Sequence, residues 1–321
     1  MIKLLSMKVK AIGMISGGLD SLIAMQLICQ QDIDVIPIIF SSVFFHSDIY
    51  SKEIIDFMGI KTRIISMEKE YLDIIKHPVY GYGCGMNPCI DCKIYMLKQA
   101  KKIMEAEKAS FVFTGDVVNQ RPFSQTKNFL TLIEKASGLE GRIVRPLCAK
   151  LLNPTLPEIE GLVDRKKLLD ISGRSRKKQL DIAEKLGIFD YSQPSGGCLL
   201  TDGIFAQKIK TLFNNWPGCN LDDVKLIKHG RTLWHKNNLV VIGRNEKENK
   251  ILFSIAKPND IIIEIKNIPC PLCVIRGENI TDDVIEYAKN LERKYSPKAK
   301  GKIVEFVIGT KNGYKTCSDR P

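Results

Sequence analysis

The chain has 321 residues, which is enough for two domains that each bury a core. Its 44% hydrophobic and 26% charged residues exclude a disordered or fibrous protein, and no apolar run reaches the roughly 18 residues that span a bilayer. The formal charge of +12 lies mostly in residues 205–321, which contain 21 Lys plus Arg and 13 Asp plus Glu. Such an excess of positive charge either attracts a polyanionic partner such as nucleic acid or only keeps the protein soluble.

The first half of the chain predicts strands that alternate with helices. Strands are predicted over 9–15, 35–40, 62–67 and 110–116, and helices over 19–30, 49–58 and 91–107. This alternation indicates an α/β domain with a doubly wound parallel sheet, whose ligands bind beyond the carboxyl ends of the strands. Ser16 and the sequence TGD at 114–116 follow such ends.

The pattern changes along the second half of the chain. Residues 157–187 are predicted to be helical and contain a basic run, GRSRKK, at 173–178. Beyond them, helices are predicted over 205–213 and 281–294, and five strands at LVVIGR, ILFSIA, DIIIEI, LCVIR and IVEFVI. We therefore expect two domains, residues 1–204 and a second, smaller, mostly β domain over 205–321.

The ten cysteines favour metal binding or catalysis over disulfides, because the chain has no secretory cleavage site and we expect it to be cytoplasmic. Three of them, Cys84, Cys89 and Cys92, cluster in GYGCGMNPCIDCK. Cys198 stands alone in QPSGGCLLT, and another pair forms CPLC at 270–273.

The sequence MISGGLDS, residues 14–21, predicts an anion-binding turn. In a strand, Ser-Gly-Gly, helix arrangement, backbone N–H groups at the helix N-terminus face an anion, and the helix dipole favours its charge. Gly17 and Gly18 leave room for a phosphate, the hydroxyls of Ser16 and Ser21 add donors, and Asp20 can hold the loop amides. A tight turn that uses its glycines for backbone reasons alone is the other interpretation. The spacing is not that of a Walker A loop.

The six residues SGGLDS resemble the PP-loop of the ATP pyrophosphatase family, which has the adenine nucleotide alpha hydrolase-like fold. The resemblance implies that ATP and Mg²⁺ bind at this turn, with the β and γ phosphates held there. It further implies that an oxygen of the substrate is adenylated, pyrophosphate is released, and a nitrogen or sulfur nucleophile then displaces AMP.

Two cysteine motifs favour sulfur. NPCIDCK resembles the first cysteine motif of the MnmA-type tRNA 2-thiouridylases, with Cys92 at the first catalytic position, and SGGCLLT resembles the second, with Cys198 matching. Cys89 stands where many members have Asp. Three thiolates are what a 4Fe–4S cluster needs when one iron stays open, so we favour a cluster on Cys89, Cys92 and Cys198.

Other roles for these thiols stay open. A persulfide relay between Cys92 and Cys198 would make Cys89 a bystander. A zinc site could instead combine Cys89 and Cys92 with the CPLC pair. Cys84 is either a fourth ligand or a spare thiol.

The segment TGDVVNQRPFSQTKNFL is similar to a segment of the ThiI-type 4-thiouridine synthetases. That resemblance implies that Gly115 and Asp116 lie near ATP and that Gln125 lies near nucleotide or substrate, with Lys127 able to neutralise phosphate charge. Likeness to both thiolase types leaves 2-thio and 4-thio products open. We recognise no rhodanese-like segment, so we expect sulfur to come from sulfide or from a separate sulfur-donor protein.

The second domain resembles the NFACT-R RNA-binding domain. The matching residues are Gly243, Arg244, Asn245, Asn249, Asp260 and Arg276. We predict that Arg244, Lys247, Lys250 and Arg276 contact an RNA backbone. The alternative is a solvated domain whose arginines pair with its own acids.

Together these features predict a tRNA sulfurtransferase, an ATP-dependent tRNA-uridine thiolase with tRNA as its partner. Cys92, Cys198, Cys89 and Asp20 are its predicted catalytic residues, and Ser16, Gly17, Gly18, Ser21, Gly115 and Asp116 its other predicted ATP contacts. Rival functions are a PP-loop amide ligase, an RNA-associated factor with a degenerate ATP site, and a thiouridine desulfidase. A homodimer is left open.

Overall fold

The computed structural model describes residues 8–45, 59, 61–191 and 197–318, so the helix predicted over 49–58 lies outside the described residues. The chain divides into two compact units, Met1–Gly203 and Ile204–Pro321. None of the helices in the described ranges is both long enough and apolar enough to cross a membrane.

The first unit is built on a five-stranded sheet in which every pairing is parallel, with the strand order β3-β2-β1-β4-β5. Its strands are β1 Lys10–Met14, β2 Asp34–Ser41, β3 Arg63–Ser66, β4 Phe111–Thr114 and β5 Ile143–Val144. β1 pairs with β2 on one side and with β4 on the other, so the order in which successive strands are added to the sheet reverses between β1 and β4. Such a reversal leaves a crevice beyond the carboxyl ends of these two strands. The predicted doubly wound α/β fold is confirmed.

Helices cover this sheet and complete the core. They are α1 Leu19–Cys29, α2 Lys69–Lys76, α3 Cys89–Ala106, α4 Lys127–Ser137, α5 Leu156–Ile159 and α6 Lys177–Lys185. The apolar side of α1, with Leu19, Leu22 and Ile23 fully or almost fully buried, packs with Phe111 and Phe113 of β4. This packing places the start of α1 at the carboxyl end of β1.

The continuous helix predicted over 157–187 is wrong. The structure has only α5, a 3₁₀ turn at Arg165–Lys167 and α6 in this stretch. Gly161 and Gly173 adopt positive φ angles of +74° and +85°, which end helical runs, and the Asp164 side chain accepts a hydrogen bond from Lys166 N.

The second unit contains a six-stranded antiparallel sheet with the order β11-β10-β8-β9-β7-β6. Its strands are β6 Arg231–His235, β7 Asn238–Ile242, β8 Ile261–Ile265, β9 Cys273–Arg276, β10 Glu305–Thr310 and β11 Gly313–Ser318. Its helices are α7 Gly203–Asn215, α8 Leu221–Lys228, α9 Glu246–Ile255 and α10 Asp282–Tyr295, of which α7 begins at the last residue of the first unit. The predicted second sheet domain is confirmed, although it holds more helix than the sequence indicates.

The strand predicted at ILFSIA is wrong, because these residues belong largely to α9. The side chain of Asn245 caps that helix by accepting a hydrogen bond from Glu248 N at 3.0 Å. Helix α8, which the sequence patterns did not reveal, begins with a capping box between Asn220 and Asp223.

Candidate nucleotide and thiol site

The turn predicted within MISGGLDS, residues 14–21, joins β1 to α1 and is called the phosphate turn below. Gly17 has φ +71°, a left-handed conformation that side-chain-bearing residues rarely adopt, and Gly18 occupies the N-cap of α1 without a side-chain cap. The Ser21 hydroxyl donates to Gly18 O at 2.8 Å and accepts from Ser16 N at 3.3 Å, which closes the turn on itself. The start of α1 is therefore joined to a turn that is held by its own serines, and the N–H groups of a first helical turn are the ones that lack a partner within the helix.

Asp20 is oriented by a residue 100 positions further along the chain. Gln120 Nε2 donates to Asp20 Oδ2 at 3.1 Å. The other oxygen, Oδ1, is buried and finds no hydrogen-bond partner among the described residues. A buried carboxylate oxygen without a partner is costly, so this atom is suited to a cation or donor supplied by a ligand.

Gly115 packs directly against the start of α1. A Cβ added at this position would lie 2.6 Å from Ser21 N and 2.7 Å from the carbonyl carbon of Asp20. Both atoms are backbone and cannot rotate away. The end of β4 is thus in close contact with the phosphate turn, because the two strands are neighbours in the sheet.

Asp116 faces the interior rather than an open ligand site. Its carboxylate contacts Lys93 Nζ and accepts hydrogen bonds from Gln125 Nε2 at 2.9 Å and Thr114 Oγ1 at 3.0 Å, with Arg145 Nε at 3.9 Å. Burial acts to raise the pKa of Asp116, but the positive charges of Lys93 and Arg145 outweigh burial and hold that pKa well below its usual range. That Asp116 lies near ATP stays a prediction. In the structure, its carboxylate joins Lys93, Gln125 and Arg145 in one buried network.

The backbone brings Cys198 to the cysteines of α3, although 105 residues separate it from Cys92. Leu199 N donates to Phe44 O at 2.9 Å, just beyond the end of β2, and Met86 N donates to Leu200 O at 2.9 Å. Cys89 and Cys92 lie three residues apart in the first turn of α3 and therefore share a face.

The three thiols lie in a poorly solvated pocket. Burial raises the pKa of each one, to about 12 for Cys92 and about 11 for Cys198. They also affect one another, since a charge on Cys89 raises the pKa of Cys92 and Cys198. The buried Tyr71 hydroxyl donates to Cys92 Sγ at 3.3 Å, and Asn87 Nδ2 donates to Cys89 Sγ at 3.0 Å.

The three side chains are soft thiols, the ligand type that iron–sulfur clusters take. Among the described residues, however, no group of three or more His, Cys, Asp or Glu side chains is placed to hold a metal ion, so the agreement lies in residue type and not in geometry. In the second unit, Cys270 Sγ instead accepts a hydrogen bond from Ile265 N at 3.1 Å, and Cys273 is fully buried in the core.

The thiols and the phosphate turn lie at the same edge of the sheet. Cys198 pairs with Phe45 in an isolated bridge four residues beyond the end of β2, and β2 is the neighbour of β1. Lys93, which follows Cys92, forms an ion pair with Asp116 two residues beyond the end of β4. The phosphate turn and the thiols therefore share this edge of the sheet.

The predicted RNA-binding residues of the second unit divide into two groups. Arg244, Lys247 and Lys250 are exposed around the start of α9. Arg244 forms an ion pair with Glu248, and Lys250 pairs with Glu246 at 2.6 Å. The Lys250–Glu246 pair is exposed on both sides and is weak enough to open for a polyanion. Glu248 is buried, so only the exposed guanidinium face of Arg244 is open to a partner.

Arg276 has a different environment. It is buried, and its guanidinium donates to Asp260 Oδ2 at 2.7 Å and to Asp223 Oδ1 at 3.1 Å. This guanidinium ties β9 to two other segments of the unit. We therefore do not carry Arg276 into the proposed RNA surface, because contact with RNA would break a buried network.

Sequence reasoning missed several polar partners of the site. Tyr71, Asn87, Lys93 and Gln120 each contact a predicted site residue. Asn87 and Lys93 are the first and last residues of NPCIDCK, and Gln120 lies in TGDVVNQRPFSQTKNFL, so these motifs contained the signal for three of the four. Tyr71 lies outside every motif and reaches Cys92 only through the fold.

Comparison with family models gives two matches. Residues 6–151 match the model described as "Thiamine biosynthesis protein (ThiI)", and residues 230–318 match the model described as "NFACT protein RNA binding domain". The predicted resemblance to a ThiI-like thiolase domain followed by an NFACT-R-like domain is confirmed by these matches.

Individual relatives are distant. A "Probable tRNA sulfurtransferase" from Thermococcus kodakarensis is 24% identical over 187 residues, which are 57% of this chain and 42% of that protein, so the chain spans less than half of its relative. A solved 4-thiouridine synthetase–RNA complex with bound ATP is 18% identical with a TM-score of 0.37, covering 65% of this chain and 51% of that one. The U34-tRNA thiolase NcsA from Methanococcus maripaludis with its [4Fe-4S] cluster is 19% identical with a TM-score of 0.32, covering 72% and 76%.

Proposed function

We propose that the chain is a tRNA sulfurtransferase that uses ATP to replace a uridine carbonyl oxygen with sulfur. The observation that carries the proposal is the convergence of three cysteines on the sheet edge that also holds the phosphate turn. An amide ligase or a degenerate ATP-binding factor would leave that convergence without a purpose. The named activity of the Thermococcus relative agrees with it.

In this proposal the nucleotide binds at the phosphate turn. The first backbone N–H groups of α1 and the hydroxyl of Ser16 hold the β and γ phosphates, while the Ser21 hydroxyl keeps the turn closed through Gly18 O. Gln120 fixes Asp20 so that Oδ1 faces the Mg²⁺ that accompanies ATP. The uracil oxygen attacks the α phosphorus, pyrophosphate leaves, and the oxygen later departs with AMP.

The thiol pocket supplies the sulfur side of the reaction. Cys89, Cys92 and Cys198 would hold a 4Fe–4S cluster, whose open iron supplies a binding place for sulfide. Tyr71 and Asn87 donate to the sulfur atoms of Cys92 and Cys89, and such donors stabilise charged sulfur in a buried site. Burial disfavours bare thiolates here, so a positively charged metal that replaces their protons fits the pocket. A persulfide relay between Cys92 and Cys198 is the other route.

The second unit is proposed to hold the RNA. Lys247 and Lys250 are exposed cations on α9, and Arg244 lies two residues before this helix. All three lie within the segment that matches the NFACT RNA-binding model. Lysine and arginine contacts to phosphates give affinity without sequence readout. The modified position and the choice between 2-thio and 4-thio products are therefore left to experiment.

The decisive experiment is anaerobic incubation of the iron-reconstituted chain with ATP, Mg²⁺, sulfide and unmodified tRNA, followed by nucleoside mass spectrometry. We expect a thiouridine, whose retention time identifies the 2-thio or 4-thio isomer. If AMP forms without a thionucleoside, the substrate is a molecule other than the tRNA supplied. If neither AMP nor a thionucleoside forms, the proposal is refuted.

A matched pair of variants separates the thiol site from other cysteines. Cys198→Ser removes one proposed ligand, whereas Cys29→Ser removes a half-buried cysteine in the last turn of α1, away from the phosphate turn. We expect Cys198→Ser to lose thionucleoside and iron, and Cys29→Ser to keep both. Loss of product with unchanged iron would favour the persulfide relay.

A further inference from the structure

The segment HPVYGYG, residues 77–83, has no part in the proposed reaction, yet the fold holds it against the helix that carries the first two site cysteines. Asp91, in the first turn of α3, accepts hydrogen bonds from Val79 N at 2.9 Å and from Tyr80 N at 3.1 Å. The Tyr82 hydroxyl donates to Ile75 O of α2 at 2.6 Å. This segment, called the tyrosine loop below, is thus fixed to two helices.

The side chains of the tyrosine loop nevertheless face solvent. Val79 is 83% exposed, Tyr80 38% and Tyr82 37%. Gly81, between the two tyrosines, has φ +74°, a conformation that glycine adopts without strain. Three large side chains that stay exposed on a loop whose backbone is held in place indicate an interaction surface.

An open groove of about 690 Å³ lies between the tyrosine loop and α4. Its lining residues are Tyr80, Asn128, Thr131, Leu132, Lys135 and Ala136. An aromatic ring, two apolar side chains, an amide and a hydroxyl together suit a flat ligand with polar edges. A nucleobase has this chemistry, because its faces stack on aromatic rings and its edges form hydrogen bonds.

The charges around the groove favour a polyanion. In residues 77–88 and 120–136, the exposed side chains that are charged at neutral pH are Arg121, Lys127 and Lys135. Glu134, the one acidic residue in these two segments, is only partly exposed and already forms an ion pair. Lys135 pairs with Glu140 at 3.6 Å, a surface contact that is weak enough to open. A positive rim around a surface suited to stacking is typical of contacts with single-stranded RNA.

The tyrosine loop connects the groove to the thiol pocket. Gly83 N donates to Asn87 O at 3.0 Å, and Asn87 Nδ2 donates to Cys89 Sγ at 3.0 Å. Gly83 also packs against Phe123, whose ring would lie 2.8 Å from an added Cβ. Burial raises the pKa of Cys89 and the positive charge of Arg121 acts to lower it, so this exposed cation lies near the thiols. A strand of RNA in the groove can therefore extend to the thiol pocket.

We propose that the groove binds an unpaired nucleobase of the RNA, stacked on Tyr80 and adjacent in the strand to the uridine that is modified. The identity of the RNA rests on the proposed function. Asn128 and Thr131 contact the polar edge of the base. Lys127 and Lys135 neutralise the flanking phosphates. The first unit thereby has an RNA contact of its own, which depends on a base and is separate from the phosphate contacts of α9.

The test measures, by fluorescence anisotropy, how the full chain binds a short unpaired oligouridine and an RNA duplex of the same length. Tyr80→Ala removes the ring, whereas Tyr80→Phe keeps a face for stacking. We expect Tyr80→Ala to weaken oligouridine binding about tenfold, the effect of one lost base stack. Duplex binding should be unchanged, because paired bases cannot enter the groove. Tyr80→Phe should bind both RNAs like the wild type.

A control variant and a crosslinking measurement locate the effect. Phe189→Ala removes another exposed aromatic side chain of the first unit. Phe189 follows α6, which packs on α1, whereas the groove lies on α4, so this variant should bind oligouridine normally. Ultraviolet crosslinking of oligouridine to the wild-type chain, read by peptide mass spectrometry, should place a uridine adduct on the peptide that contains Tyr80.

The outcomes are distinguishable. Wild-type oligouridine affinity in Tyr80→Ala overturns the base site, even if the chain forms a thionucleoside, and so does an equal loss of oligouridine and duplex binding. If Tyr80→Ala binds oligouridine normally but loses thiolation only when a persulfide-bearing donor protein replaces sulfide, the surface binds that protein and the RNA assignment is overturned. If oligouridine binding and the adduct depend on Tyr80 but neither AMP nor a thionucleoside forms, the base site stands and the proposed function fails.

Discussion

Single polar contacts between distant segments orient the candidate site. Gln120 holds one oxygen of Asp20, Tyr71 holds the sulfur of Cys92, and Lys93 holds Asp116. Each contact lies in a buried or half-buried place, where a hydrogen bond or ion pair is costly to leave unmade. Substitution of one partner therefore tests each of them directly.

Gln120→Leu should impair ATP cleavage without unfolding the chain. The leucine cannot donate to Asp20 Oδ2, so the carboxylate loses its orientation toward the phosphate turn. We expect kcat/KM for AMP formation to fall about tenfold, the effect of one hydrogen bond to a charged group. Gln30→Leu, at the opposite end of α1, serves as control. Equal rates for the two variants would contradict a positioning role.

Asp116→Asn should destabilise the first unit. It leaves the buried guanidinium of Arg145 and the amine of Lys93 without their shared carboxylate. Removing one partner of a buried ion pair costs about 3 kcal/mol or more, which urea denaturation can measure. Asp34→Asn, at an exposed position on β2, should change the free energy of unfolding little. A stable Asp116→Asn protein would show that the network is dispensable.

At the scale of the elements, both units depend on close approaches between a helix and a sheet. In the first unit, the end of β4 touches the start of α1 through Gly115. In the second, α10 lies on the sheet with the carboxyl group of Glu292 enclosed between them. Packing leaves little room at either place, so a small change in side-chain volume or charge should alter ligand binding or stability measurably.

Gly115→Ala should weaken ATP binding by displacing the phosphate turn. The added methyl group would meet backbone atoms of Asp20 and Ser21 at 2.6–2.7 Å, so either β4 or α1 must shift. We expect the Kd for ATP, measured by titration calorimetry, to rise about tenfold or more. Gly218→Ala, which meets nothing within 4 Å, should bind ATP normally. Unchanged affinity in Gly115→Ala would show that this contact is not needed.

Glu292→Gln should stabilise the second unit at high pH. Burial, and to a smaller degree the nearby Glu264, raises the pKa of Glu292 from its ordinary 4.5 to about 9. Neither oxygen has a partner among the described residues, and Cys270 and Cys273 lie close by. The stabilisation from this carboxyl is complete below about pH 4.5 and is lost progressively up to about pH 9, since the unfolded chain ionises first.

Thermal denaturation at pH 5 and pH 8.5 measures that effect. We expect Glu292→Gln to melt at least about 4 °C above the wild type at pH 8.5, with a much smaller difference at pH 5. Glu278→Gln, in an exposed loop, should follow the wild-type curve at both values. A pH-independent difference would mean that Glu292 does not ionise in this range.

At the scale of the whole molecule, the proposed function assigns chemistry to the first unit and RNA binding to the second. The division into Met1–Gly203 and Ile204–Pro321 gives each activity its own core. The larger share of the excess positive charge lies in the second of these. Binding of tRNA by the full chain should therefore depend on salt through exposed residues of the second unit.

Substitution of Lys247 and Lys250 by alanine should weaken tRNA binding uniformly across sequences. Each lost phosphate contact lowers the slope of log K against log salt by about one, because fewer counterions are released. Lys225→Ala removes an exposed lysine of α8 that pairs with Asp222 and should keep the wild-type slope. Identical slopes for all proteins would place the RNA surface elsewhere in the chain.

The sequence by itself determined the alternation of strands and helices, the phosphate turn and the three cysteines, because each is a local pattern of neighbouring residues. It erred where local signals compete: the cap at Asn245 turned ILFSIA into helix, and the glycines at 161 and 173 broke a helix. Only the tertiary structure decided which groups meet. Three examples join residues that are far apart in the chain: Cys198 approaches α3, Gln120 donates a hydrogen bond to Asp20, and the buried Arg276 binds Asp223 and Asp260. Such contacts follow from the register and packing of whole elements, and no local pattern carries that information.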